Sequence, residues 1–217
     1  MANLITIDGT AYLVDVGFGA QGPVSPLPLI DGRVTRGIGS QQLRLQYKRV
    51  VPHTQRGQRL WVYSYRNHDG PTAEWTDAYA FSDAVEWFPQ DFENINHVIM
   101  TSRSSWFTQV VVCARFVLEE RAEEVGGSAA VSEIVGVRSL LGNSATIKGV
   151  EWFAEGGDGS NGRAASQTVL LFRSEDDRVE ALEKWFGIML TPAERKGIVG
   201  LMSHLRGMKM PPPESGM

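Results

Sequence analysis

Between positions 12 and 19 the chain reads Tyr-Leu-Val-Asp-Val-Gly-Phe-Gly, which sets a carboxylate, Asp15, inside an apolar strand and follows it with glycines on either side of Phe18. A carboxylate buried on such a strand is unfavourable unless a hydrogen-bonding or charged partner meets it. Two accounts stand on the residues alone. Either a partner reaches Asp15 from a neighbouring strand, or Asp15 binds backbone amides nearby, as Asp does at turns. The glycines at 17 and 19 either let backbone approach a ligand closely or form a tight bend leaving the strand. Gly17, Gly19 and Gly22 also satisfy the G-x-G-x-x-G spacing of dinucleotide-binding loops. That motif works only if a helix opens at the third glycine, and Pro23, Pro26 and Pro28 forbid one there.

Other reactive side chains carry less. Cys113, in Gln-Val-Val-Val-Cys-Ala-Arg-Phe, has no adjacent base or cluster of positive charge to activate it and reads as a core cysteine. His53, His68, His97 and His204 share no metal-ligand spacing and pair with no cysteines, so no metal is expected. Ser160, among glycines, lacks the strand-to-helix setting of a nucleophile elbow.

The elements that must position Asp15 are strands. Residues 3–16 read as a hairpin around Asp8-Gly9, the favoured chemistry of a two-residue type I′ turn. With that turn, facing positions sum to 17: Ile7 faces Thr10, and Asp15 faces Ala2. A residue immediately before Met1 would then be a diagonal neighbour of Asp15, with Cα atoms about 7–8 Å apart. Residues 42–51 and 59–67 alternate as half-buried strands. The stretch 79–100 carries short helical patterns, with Pro89 starting a turn that bears Asp91 to Asn96. Alternation over 105–120 predicts a strand, and 131–154 a further hairpin or two. The glycine-rich 155–166 reads as a mobile loop. Two helices follow, one behind Ser174 and one capped by Thr191 with Pro192 at its first position. The expected fold class is α+β: a β-barrel-like domain at 1–88, an α/β lid domain at 89–207, and a disordered tail at 208–217.

Bulk properties exclude several functions. A net charge of −4 with both signs mixed gives no basic face for nucleic acid and no polybasic segment for a membrane surface. The apolar share of 42% and charged share of 21% are ordinary for a soluble globular protein. One cysteine rules out an intrachain disulfide and fits a reducing compartment, by default the cytoplasm. The first residues lack signal-peptide character, and no apolar run approaches the roughly 20 residues of a membrane span.

Three blocks together resemble the arylamine N-acetyltransferases: Ile5 to Gly19 with the proline-rich run after it, residues 91–116, and, more weakly, the closing 179–198. The proportions are most similar to the fungal branch. The resemblance implies acetyl transfer from acetyl-CoA, through a cysteine thioester, to an aromatic amine or hydrazine. It places the Asp of a Cys-His-Asp triad at Asp15. Gly17 and Gly19 match a loop that approaches the coenzyme, Phe18 a residue that packs on the acceptor ring, and Ser104 a hydroxyl near the coenzyme phosphates. Ser102, Ser105 and Arg103 are neighbours of that last position, and Trp106 departs from the smaller residue usual in some members. The family's Arg-Gly-Gly-x-Cys-type motif has no counterpart in these 217 residues, and the position matching its histidine lies just upstream of them. The chain is therefore expected to correspond to the second and third domains, to be truncated, and to be inactive alone. An exposed apolar patch and a free strand edge at 3–7 are expected with it. The alternatives are a non-catalytic protein that binds CoA or an arylamine on the same scaffold, and an unrelated β-rich protein in which residues 15–19 are only a bend.

Overall fold

The computed structural model describes residues 2–51, 53–67, 73–121, 131–149 and 167–205. The loop at 155–166 with Ser160, His68 and the tail at 208–217 lie outside the described residues. Contacts divide the chain into two compact units, 1–88 with 116–135, and 89–115 with 136–217. Among the described residues the fold is mixed α and β, with three antiparallel sheets and few helices.

In the first unit, β1 (Asn3–Ile7) and β2 (Thr10–Val14) form the hairpin that the Asp-Gly pair dictates. Asp8 and Gly9 take φ of 49° and 77°, as a type I′ turn requires. Asn3 pairs with Val14 and Ile7 with Thr10, the register expected from the turn. β3 (Leu27–Pro28) pairs with the other side of β2, which leaves β1 as an edge among the described residues, with all five of its residues exposed. The strands β4 (Val34–Arg36), β5 (Gln42–Lys48), β6 (Leu60–Arg66) and β7 (Thr76–Phe81) make a second antiparallel sheet in that order. Leu43, Leu45, Trp61 and Tyr63 pack with Leu13 and Leu27 as one core. On β5 and β6, Arg44 and Arg66 bracket Trp75, their guanidinium carbons 3.9 and 4.8 Å from the ring centroid.

Residues 79–81, read from sequence as part of a helical stretch, are the end of β7. The strand carries a register slip just before them. Tyr63 pairs with Tyr79 but Ser64 pairs with Asp77, so Ala78 is an extra residue, a β-bulge. Asp77 therefore joins Ser64 through a 2.8 Å hydrogen bond, while Tyr79, two residues later, stacks with Tyr63 at a 5.2 Å centroid separation. Simple alternation would put both on one face.

The second unit begins with α1 (Pro89–Thr101), which opens at Pro89 as predicted but runs thirteen residues and buries none of them. Its Ile95, Val98, Ile99 and Met100 are exposed. The stretch 105–109 is not strand, because α2 (Trp106–Gln109) occupies it before β8 (Val112–Arg121) starts. The third sheet runs β11 (Gln167–Leu171), β10 (Ser144–Gly149), β9 (Val131–Leu141), β8. Residues 116–121 and 131–135 of β8 and β9 count with the first unit. α3 (Glu175–Ala181) has a full capping box, Ser174 with Asp177, and continues as a π-helical turn over Leu182–Phe186. α4 (Pro192–Gly197) is capped by Thr191 with Glu194. The core of this unit gathers Leu140, Ala145, Phe172, Ala181, Leu182 and Phe186. No helix among the described residues is long and apolar enough to cross a membrane.

Candidate active site

β2 ends at Val14, and the next residue, Asp15, is 8% exposed. Its Oδ1 accepts the backbone N–H groups of Gly17 at 2.9 Å and Phe18 at 3.2 Å. That is the local amide binding expected of an Asp at a turn. Its Oδ2 accepts the hydroxyl of Tyr79 at 2.7 Å, a partner brought from β7 across the unit. The backbone-amide account applies to Oδ1, whereas the partner on Oδ2 comes from β7 of the other sheet and not from a strand paired with β2. Among the described residues no imidazole or guanidinium bonds this carboxylate.

The loop beyond Asp15 is shaped by its glycines for two reasons. Gly19 has φ of +101°, where an L side chain is strained. Gly22 donates its N–H to Gly19 O at 2.8 Å, and a Cβ on it would come within 3.0 Å of that oxygen and 3.3 Å of Phe18 Cβ. Phe18 is pushed outward, 42% exposed, its ring 5.2 Å from Tyr79 and 6.2 Å from Tyr63. An open cleft of about 330 Å³ lies here, lined by Ala2, Asp15, Gly17, Phe18, Tyr79, Ala80 and Phe81.

Burial, reinforced by the hydrogen bond to Asp15, pushes the Tyr79 phenol well above its ordinary pKa. Burial and then the Asp15 charge do the same to Tyr63, whose hydroxyl donates to Gln21 O at 2.7 Å. Both phenols therefore stay protonated and act as donors. Neither tyrosine was singled out from the sequence. Their pairing across β6 and β7 was the available signal, and the bulge at Ala78 hides it.

The remaining positions lie elsewhere. Gly17 and Phe18 join Asp15 at the cleft, and Gly19 closes the turn beside it. Ser104 belongs to the second unit, exposed in the turn between α1 and α2, where its Oγ meets Ser102 Oγ at 2.9 Å. Arg103 is exposed, and so is Trp106. Cys113 is half-buried, and burial raises its thiol pKa, the opposite of activation. Among the described residues no three His, Cys, Asp or Glu side chains cluster to hold a metal ion.

A family model described as N-acetyltransferase matches residues 1–126, more than half of the chain. The chain belongs to the arylamine N-acetyltransferase family. All five positions assigned from the family resemblance, 15, 17, 18, 19 and 104, fall inside that match. The N-malonyltransferase FDB2 of Fusarium pseudograminearum (strain CS3096) is 29% identical over 205 residues, covering 91% of this chain and 53% of its own length. The protein of the same name from Gibberella moniliformis is 26% identical over 204 residues, covering 91% and 52%. The arylamine N-acetyltransferase of Mycobacterium abscessus superposes with a TM-score of 0.58 at 17% identity, over 89% of this chain and 55% of that one. For the enzyme of M. tuberculosis the TM-score is 0.53 at 22% identity, over 86% and 54%. At those identities the likeness is one of fold. This arylamine N-acetyltransferase family member spans about half the length of the relatives it matches.

Proposed function

We propose that the chain serves acyl transfer from a coenzyme A thioester to the nitrogen of an aromatic amine or hydrazine, with Asp15 orienting a histidine base. The observation that carries this reading is how the carboxylate is satisfied. Of its about four lone-pair directions, two on Oδ1 and one on Oδ2 are filled by Gly17, Phe18 and Tyr79. The fourth, on Oδ2, has no partner among the described residues, and Asp15 lines the cleft. An imidazole N–H in that place would be fixed in tautomer and stabilised as its cation.

The route would run in two halves. A cysteine, deprotonated by the imidazole, attacks the acyl carbonyl; the carbon–sulfur bond to coenzyme A breaks, and the departing thiolate takes the imidazolium proton. The amine then attacks the acyl-cysteine, the carbon–nitrogen bond forms, the amine proton passes to the imidazole, and the cysteine thiolate returns. In this reading Gly17 and Gly19 allow close approach of the coenzyme, Phe18 stacks on the acceptor ring, and the Ser104 hydroxyl serves a coenzyme phosphate. Acetyl-CoA is the donor this reading takes, as the family resemblance implies. The named malonyltransferase relatives make malonyl-CoA the donor to test against it.

A second reading, a protein that binds coenzyme A or an arylamine without turnover, is favoured by one observation: no thiol or imidazole bonds Asp15 among the described residues. For these 217 residues alone we expect that outcome. Purified protein incubated with acetyl-CoA or malonyl-CoA, with and without an aminobenzoate, should gain thermal stability but release no free thiol. Amine-dependent thiol release that disappears in Cys113→Ser would overturn the expectation of inactivity. Stabilisation by none of these ligands would sink both readings.

A further inference from the structure

The loop after β2 is tied at its far end by groups that no motif announces. Gln21 offers two handles: its backbone carbonyl takes the Tyr63 hydroxyl, and its Oε1 accepts Gln41 Nε2 at 2.8 Å. Gln41 is fully buried, with 0% exposure, and also donates from Nε2 to Asn67 Oδ1 at 3.1 Å. Its own Oε1 is buried with no hydrogen-bond partner among the described residues. Buried amide oxygens are seldom left so, and each one asks for a reason. Here the amide is turned so that its N–H groups fix two other residues, at the expense of its oxygen. Gly37 leaves the room for this: a Cβ at 37 would lie 2.4 Å from Gln41 Oε1 and 3.1 Å from Leu43 Cγ. Only glycine there lets the Gln41 side chain lie as it does.

We propose that Gln41 is a positioning residue for the site. It anchors Gln21, and so holds the far end of the 15–22 loop as Asp15 holds the near end, keeping Phe18 against Tyr79 at the wall of the cleft. What the loop is held for rests on the acyl-transfer reading; that it is held does not. Preorganised placement of such a wall is what a reacting ring and its acyl donor need.

Backbone amide hydrogen exchange on the whole chain tests this. In Gln41→Leu and Gly37→Ala, exchange at Gly17, Phe18 and Gly22 should rise by about tenfold more than at the amides of β6. Gln21→Glu keeps an acceptor for Gln41 Nε2 and should retain protection near that of the native protein, whereas Gln21→Leu should loosen the loop as Gln41→Leu does. Leu45→Ala, a truncation in the core of the same sheet, should raise exchange throughout without favouring the loop. The proposal is overturned if loop exchange rises only in step with β6, or if Gln21→Glu and Gln21→Leu behave alike. Should Gln41→Leu not fold, the pair at position 21, which is half-buried, decides the matter. Binding of acetyl-CoA and an aminobenzoate is measured on the same proteins. Failure of the native chain to bind either would remove the acyl-transfer reading and leave the exchange comparison intact.

Discussion

Arg178 and Asp15 are both buried charges, one in each unit, and they are satisfied in different ways. Arg178, 0% exposed, gives two N–H groups to Glu175 and one each to Gly142 O at 3.1 Å and Ser203 O at 2.9 Å. Glu175 in turn accepts the N–H of Leu205 at 3.2 Å. The group is closed on itself, and it ties α3 to the β9–β10 turn and to residues 203–205. Asp15 is bound by two amides and a phenol but keeps one face toward a cleft. A buried charge with every neighbour turned inward holds a fold together; one that opens on a cavity is available for chemistry. Burial alone does not separate the two, whereas the cleft that Asp15 lines does.

The comparison breaks most readily at Arg178. Arg178→Met leaves the Glu175 carboxylate without its partner and should cost about 3–5 kcal/mol in urea unfolding, the penalty of a broken buried ion pair. A loss below about 1 kcal/mol would show that the cluster is not closed as described. Asp15→Asn should cost less, about 1–2 kcal/mol, because the amide oxygen can still take the Gly17 and Phe18 N–H groups and the cleft admits water to the rest. Equal costs at the two sites would erase the distinction between them.

A smaller effect sharpens the Asp15 side. The folded-state pKa values of Tyr79 and Tyr63 are raised above an unfolded value of about 10. Stability from these phenols is therefore complete below about pH 10 and is lost as pH rises toward the folded-state values. Tyr79→Phe removes one hydrogen bond, worth about 1 kcal/mol at neutral pH, and should flatten the alkaline decline. Unfolding curves on either side of pH 10 for the two proteins measure this. An unchanged alkaline slope in Tyr79→Phe would mean that the phenol is not held by Asp15.

Much of this site is legible in the sequence where the governing physics is local. Asp8-Gly9 fixes the turn, the turn fixes the register, and the register puts Asp15 at the end of β2. Ser174, Thr191 and Pro89 mark helix starts because capping is decided within four residues. What escapes is set at a distance. The bulge at Ala78 turns Tyr79 toward Asp15 against the expected alternation, and Gln41 reaches Gln21 and Asn67 over twenty residues or more of chain. The four residues of α2 escape for another reason: apolar side chains on both faces fit a strand pattern as well as a single exposed turn.

The glycines at 19 and 22 also differ in handedness. At 19 an L-type Cβ meets nothing within 4 Å, and only the torsion, φ of +101°, objects. A mirror-image alanine placed there by chemical synthesis relieves that objection, since D-residues favour positive φ. At 22 the torsion is not the difficulty; the crowding atoms are, and with them the seat of Phe18. Chirality thus separates a position that must bend from one that must stay empty.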